Sequence, residues 1–419
     1  MQFLNRFLLK DRDYNHLLKG LETGAFPVAL SGLAGIGKAV IASALVSDNR
    51  RLLMITDTEA AAVGLKDDLL ALGIKAGHLP ARDYNFSSAD GYSKEYEIMR
   101  IDTLSRILGG DFAVLCASME AATQYTLPPE VLKENTFKIS EGDTVDLANL
   151  AEKLVNSGYK RSDICEGTGQ FSIRGGIIDI FTAGYDLPVR IELWGDEVDS
   201  ISFFDTVTQR RTTKIKSVKI SPACELPYRA EELIKKLQNY LESDENLTDT
   251  QRQNLRFDID KLENGMSLNA DLYLPFLYKK CATLFDYTDD FLLALCETSN
   301  IKNKFKNLLL TEAGDIADLL ESGFLSNKTA QVRLSEAQFY KKAKGAIYFE
   351  SFAHTSYPVS PETVIDFDLK RFSPWGGNLE NLIDDINGIR ALSGTAVVFA
   401  GGEKAAKLLA GSLSDNGIS

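Results

Sequence analysis

Ser31-Gly32-Leu33-Ala34-Gly35-Ile36-Gly37-Lys38-Ala39 follows a short apolar run, Pro27–Ser31, and opens an alanine-rich helical stretch, Lys38–Ser47. A glycine loop between a buried strand and a helix N-terminus is the setting of a phosphate-binding loop, GxxxxGK[ST]. Gly32, Gly37 and Lys38 keep that spacing, but Ala39 stands where a hydroxyl would hold Mg²⁺. Taken alone, the loop reads either as a nucleotide site or as a plain strand-to-helix turn with a solvated Lys38. Further along, Arg51–Thr56 is a second apolar run, and Glu59–Leu72 has apolar residues at helical spacing. Lys94–Leu108 reads as a helix, and Asp111–Ala117 as a third strand. Strands alternating with helices predict a parallel sheet covered on both faces.

An ATPase on such a sheet needs a carboxylate at the end of a buried strand to support the Mg²⁺ and its waters. The best candidate is Leu292-Leu293-Ala294-Leu295-Cys296-Glu297. Glu297 is present, and Cys296 replaces the preceding Asp. Two metal-supporting positions, far apart in the chain, are therefore altered together. That pattern reads as a retired nucleotide site with no catalytic residue, no cofactor and no metal of its own.

Between Tyr125 and Arg211 the texture changes. One helix, Leu147–Ser157, is followed by short alternating segments at Phe171–Arg174, Ile177–Phe181, Val189–Trp194 and Val198–Phe204. Gly175-Gly176 between the first two is a hairpin signal. This predicts a small α+β domain with a mostly antiparallel sheet. Strand parity puts Val189, Ile191 and Leu193 on one face and Arg190, Glu192 and Trp194 on the other. Arg174 shares a face with Ser172. Two arginines and a tryptophan on an open sheet face have the composition of an interface hot spot. On the residues alone, Trp194 packing on a helix, with the arginines paired to Glu192 or Asp196, stays open beside it.

Helices follow, with stripes Leu233/Leu237/Leu241 and Leu255/Ile259/Leu262. A last unit reads helix Leu379–Leu392, strand Thr395–Ala400, helix Glu403–Leu413.

The 419 residues carry 46 Lys and Arg against 59 Asp and Glu, a net charge of −13. That balance disfavours non-specific binding to nucleic acid by the chain as a whole. Five cysteines, at 116, 165, 224, 281 and 296, form no close pair. With only His16, His78 and His354 beside them, a disulfide framework or zinc ribbon is not expected, and a reducing compartment is. No apolar run nears the roughly 20 residues that span a bilayer. The expectation is a cytoplasmic monomer without a membrane partner.

The most specific stretch is Gly169-Gln-Phe-Ser-Ile-Arg174-Gly-Gly-Ile-Ile-Asp179-Ile-Phe181. It continues through Leu187-Pro-Val-Arg190-Ile-Glu-Leu-Trp194-Gly-Asp196-Glu197-Val198-Asp199-Ser-Ile201 and closes with Phe204-Asp205 and Thr208-Gln209-Arg210. It resembles a run shared by the bacterial transcription-repair coupling factors and the excision-repair subunit UvrB. The glycine loop, Tyr273-Leu-Pro-Phe-Leu-Tyr278 and Thr283-Leu-Phe-Asp-Tyr287 extend the resemblance over essentially the whole chain. UvrB-like proteins keep an intact phosphate loop, an Asp-Glu pair and a tyrosine-rich hairpin. Here Ala39 and Cys296 interrupt the first two, and Arg82–Tyr92 is short and tyrosine-poor. The departures favour the N-terminal, UvrB-like region of the coupling factors. A UvrB-like, ATP-dependent DNA-loading subunit is the alternative.

That resemblance implies a degenerate helicase-type domain at 1–124 and 213–345, an inserted α+β domain at 125–212, and a small α/β domain at 350–419. It implies that the inserted domain recruits UvrA, with Arg174, Arg190 and Trp194 at contact positions. ATP and Mg²⁺, RNA polymerase and DNA would belong to parts of a longer parent beyond Ser419.

Overall fold

The computed structural model describes residues 6–82, 94–266, 268–326, 332–367, 376–394, 396–398, 400 and 402–418. The tyrosine-poor stretch expected to replace a DNA-inserting hairpin lies, after Arg82, outside these residues. The chain first forms helix α1 (Arg12–Thr23), strand β1 (Val28–Ser31), α2 (Gly37–Ser47), β2 (Leu52–Thr56), α3 (Glu59–Ala71), β3 (Ala76–Leu79), α4 (Lys94–Leu108) and β4 (Val114–Ser118). A second layer follows: β5 (Phe137–Ser140), α5 (Leu147–Asn156), β6 (Lys160–Arg161), β7 (Gln170–Arg174), β8 (Ile177–Ile180), β9 (Val189–Trp194), β10 (Glu197–Phe204), β11 (Arg211–Ile215) and β12 (Ser217–Ile220). The chain returns through α6 (Ala230–Ser243), α7 (Asp249–Glu263), β13 (Leu292–Cys296), α8 (Thr298–Glu321), β14 (Ile347–Phe349) and β15 (Thr363–Asp366). Helices α9 (Leu379–Ala391) and α10 (Glu403–Asp415) come last.

Among the described residues, seven strands form one parallel sheet in the order β15-β1-β14-β13-β2-β4-β3. Every residue of β1, β2 and β4 is buried, as expected for parallel strands covered on both faces. Leu17, Ile41, Leu45 and Leu69 pack on one face; Ile101, Leu104, Phe305 and Phe339 pack on the other. Side chains start the helices where the sequence supplies them. Asp11 accepts from the amides of Asp13 and Tyr14, and Thr58 from that of Ala61.

The inserted layer is a six-stranded sheet, β11-β10-β9-β8-β7-β6, antiparallel except where β6 meets β7, beside a two-stranded ribbon of β5 and β12. Its own core holds Leu154, Phe171, Ile178, Ile191 and Ile201. Its limits differ from the expected 125–212. Residues at the start of that span belong to the larger domain: the Tyr125 amide donates to Val332 O, the Thr126 amide to Ala282 O, and Leu127 and Leu132 lie in the larger domain's core. At the other end, a boundary at 212 cuts β11. The layer closes only when β12 pairs back with β5, Val218 opposite Ile139.

The boundary at 350 also moves. Thr363–Asp366 pairs in parallel with Val28–Ser31 as the edge of the main sheet, so the larger domain runs past Glu350. The expected strand at 395–400 has no strand among its described residues, while α9 and α10 stand on either side of it.

The two chain crossings between the domains meet at one buried carboxylate. Glu225, on the way out, accepts from Arg100 of α4 at 2.8 and 2.9 Å and from the hydroxyl of Thr126, on the way in, at 2.6 Å. Arg100 and Glu225 are fully buried. Burial alone would raise the Glu225 carboxyl, but the Arg100 and Arg82 guanidiniums reverse this and hold it below the ordinary range.

Candidate functional site

The glycine loop sits where the sequence places it, at the end of β1 and the start of α2. Three of its amides and its lysine are turned to the protein itself. Lys38 Nζ lies 2.5 Å from Glu297 Oε1 and donates to Ser351 Oγ at 2.9 Å. The Ser351 amide reaches the same Glu297 oxygen at 3.0 Å. Burial would raise the Glu297 carboxyl; Lys38 and Ser351 outweigh it and keep it low. The Leu33 amide donates to Glu350 O, the Ala34 amide to Gly32 O and the Gly37 amide to Ala34 O.

Gly32 has φ +76°, and a Cβ there would come 1.7 Å from the Phe367 carbonyl oxygen. Phe367, directly after β15, thus closes over the loop on that side. Ala39 is fully buried and Cys296 nearly so, both in the core that also holds Leu45 and Met54. Burial pushes the Cys296 thiol up to about 12, which removes it as an anionic ligand near neutral pH. A Mg²⁺–nucleotide needs free amides, a free ammonium and oxygen ligands. This residue set, with its ammonium engaged and its two ligand positions in an apolar core, does not fit one.

Glu350 and His354 were not singled out from the sequence. The Glu350 carboxylate is fully buried, accepts from the Thr298 amide at 3.1 Å and from its hydroxyl, and lies 3.1 Å from His354 Nε2. Ligand atoms of Glu297, Glu350 and His354 fall within 4.8 Å of one another. Lys38, Ser351 and Thr298 already neutralise or hydrogen-bond both carboxylates. The only signal in the sequence was the i,i+4 spacing of Glu350 and His354.

The second candidate is the polar face of the inserted sheet. Parity holds: Val189 and Ile191 are buried, and Trp194 is 86% exposed. Gly175, at φ +60°, and Gly195, at φ +64°, form the tight turns after Arg174 and after Trp194. β7, β8 and β9 run antiparallel, so both turns lie at one end of the sheet. Arg190 lies four residues back along β9, about 13 Å from Trp194 at ~3.3 Å per residue.

Both arginines find a carboxylate, and it is neither Glu192 nor Asp196. Asp179, fully buried on β8, accepts from Arg190 at 2.7 and 2.9 Å and from Arg174 at 2.8 Å. The Arg190 side chain is only 12% exposed, whereas that of Arg174 is 48% exposed. Arg190 also donates to Gln209 O and Oε1 and stacks on Phe204 at 4.4 Å. Glu192 is engaged by Arg211 and Ser200.

Residues 137–226 match the family described as the UvrB interaction domain, a span that opens at β5 and closes just beyond β12. Nearly all of the chain is similar to the N-terminal region of the transcription-repair coupling factors. The factor of Bacillus subtilis (strain 168) is 31% identical over 422 residues, covering 96% of this chain and 35% of that protein. The factor of Staphylococcus aureus (strain Mu50) is 27% identical over 395 residues, covering 91% of this chain and 33% of that protein. The chain therefore spans about a third of the coupling factors it matches. Both the glycine loop and the tryptophan-bearing sheet lie within this coupling-factor-like region.

Proposed function

We propose that this chain is the part of a transcription-repair coupling factor that recruits the excision-repair protein UvrA, and that it hydrolyses no ATP itself. The observation that carries the reading is Trp194, 86% exposed at one end of a sheet face that also presents Arg174, inside the segment matching the UvrB interaction domain. An exposed indole and a half-exposed guanidinium at the same end of one sheet face are anchor residues of the kind a protein partner uses. The Lys38–Glu297 pair supports the second half of the reading, because it occupies the ammonium that a phosphate would need.

On this reading the chain needs no cofactor or metal. RNA polymerase, DNA and ATP engage other parts of the parent protein, and the chain works as a cytoplasmic monomer. No helix among the described residues is long and apolar enough to cross a membrane. Calorimetric titration against UvrA tests the partner. Arg174→Ala and Trp194→Ala should each weaken binding about thirtyfold, as for central anchor residues. Unchanged affinity in both variants overturns the assignment. Steady-state ATP turnover above that of Lys38→Ala overturns the second half.

A further inference from the structure

The two arginines of the proposed UvrA face share a carboxylate that the sequence reading passed over. Asp179 has no accessible surface and carries both guanidiniums on its two oxygens. Arg190 is fixed against it from three further directions: the main-chain oxygen of Gln209 at 3.1 Å, the side-chain oxygen of Gln209 at 3.2 Å, and the ring of Phe204. Gln209 adopts φ +57°, a left-handed conformation that non-glycine residues seldom take. In that conformation both of its oxygens face one guanidinium. Asp205, through the Thr208 amide and hydroxyl, braces the same turn.

The division of labour follows from exposure. Arg190 has spent its Nε and donors on both of its terminal nitrogens within the domain. Arg174 is tied through Nη2 alone and stands half in solvent, at the end of the sheet that carries Trp194. A long guanidinium side chain on a hairpin turn otherwise samples many rotamers, and ordering it on binding costs affinity. A carboxylate that is itself immobilised removes part of that cost.

We propose that Asp179, held by Arg190, which Gln209 in turn fixes, is a positioning residue: it aims Arg174 at the partner without touching the partner itself. The group it would present is a planar donor suited to a carboxylate or a main-chain carbonyl of UvrA. This rests on the proposed UvrA reading.

The test is UvrA affinity by calorimetry, paired with thermal melts, on the whole chain. Asp179→Asn keeps the shape of the side chain and removes the charge that both arginines share; it should weaken UvrA binding by about tenfold or more. Because that change leaves two cations over one buried amide, the charge-balanced pair Asp179→Asn with Arg190→Gln is measured beside it, and should weaken binding to a similar degree. Ile178→Ala is the control. Ile178 is the fully buried neighbour on the core face of β8. It should lower the melting temperature and leave affinity within about threefold, since it disturbs the strand but not the arginines. The inference is overturned if the charge-balanced pair binds UvrA within about threefold of wild type, or if Ile178→Ala loses affinity as much as the Asp179 variants do. If Arg174→Ala and Trp194→Ala leave binding intact, the UvrA reading itself has failed, and that outcome is separate from the other two.

Discussion

Lys38 Nζ and Glu297 Oε1 lie 2.5 Å apart although 259 positions separate them in the chain. In a working phosphate loop the lysine meets the nucleotide and the acidic residue serves the metal and water. Here they meet each other, with Ser351 as a third member. The pair is an internal contact between the end of β13 and the start of α2.

Nucleotide should therefore have little to bind. Millimolar ATP with Mg²⁺ should shift the melting temperature by less than about 1 °C, because a ligand stabilises a fold only when its concentration exceeds its dissociation constant. Differential scanning fluorimetry reads this directly. A saturable upward shift of several degrees would contradict the closed-loop reading.

The pair should instead matter for stability. Lys38→Ala leaves a largely buried carboxylate with only Ser351, and is expected to cost about 1–3 kcal/mol. Lys38→Ala combined with Glu297→Gln removes both charges and should recover part of that loss. Urea unfolding of the two variants measures it. A double variant less stable than Lys38→Ala would show that Glu297 is stabilising without its lysine.

Gly32→Ala tests how tightly the loop is closed. The position combines φ +76° with a carbonyl oxygen 1.7 Å from where Cβ would go, so either the backbone or Phe367 must move. A cost of about 2 kcal/mol or more is expected. Hydrogen exchange should rise at the β1–β15 pairing, where the Phe367 amide donates to Ser31 O, more than at β2–β4.

Glu225 gives a prediction with a pH sign. Its folded carboxyl is held below the unfolded value of roughly 4.3. The charge thus contributes stability that is fully present above that value and is lost as pH falls through the lower folded one. Glu225→Gln should cost about 3–5 kcal/mol at pH 7, because Arg100 is left buried without its counter-charge. The gap between wild type and variant should narrow as the pH is lowered below about 4.3. Urea midpoints at a series of pH values measure both effects. A gap that widens toward acid would reverse the argument.

How much of this was written in the sequence depends on the length of each signal. β13 was visible because Leu292–Cys296 is a continuous apolar run, and β9 because Val189–Trp194 alternates. β3, Ala-Gly-His-Leu, has a glycine and a histidine in four residues and was missed. β14 and β15, three and four residues long, are too short to show periodicity; both pair in parallel with β1, more than 300 positions away, and β14 is placed between β1 and β13. Parity identified the exposed Trp194 and the buried Ile191. It could not identify Asp179 as the arginines' partner, because strand register across two hairpins decides which side chains meet. The Lys38–Glu297 contact was equally hidden: both residues had been noticed, each for what it would do with a nucleotide, and neither for the other.

The two faces of β9 give the last prediction. Ile191 is fully buried among Phe171, Ile178 and Ile201, so Ile191→Ala should destabilise the inserted domain by about 2–4 kcal/mol through lost burial and the cavity left behind. Trp194, three positions on, is almost wholly in solvent, and its truncation should change stability by no more than about 0.5 kcal/mol. The expected effects on partner binding are reversed. Trp194→Ala loses a large apolar anchor, about 2 kcal/mol in affinity for UvrA. Ile191→Ala, assayed well below its melting temperature, keeps the polar face and should bind nearly as well as wild type. Melts and titrations on the same two proteins therefore give opposite rankings. Parallel losses of stability and binding in both variants would mean that the exposed face is not the docking face, and that Trp194 acts through the fold.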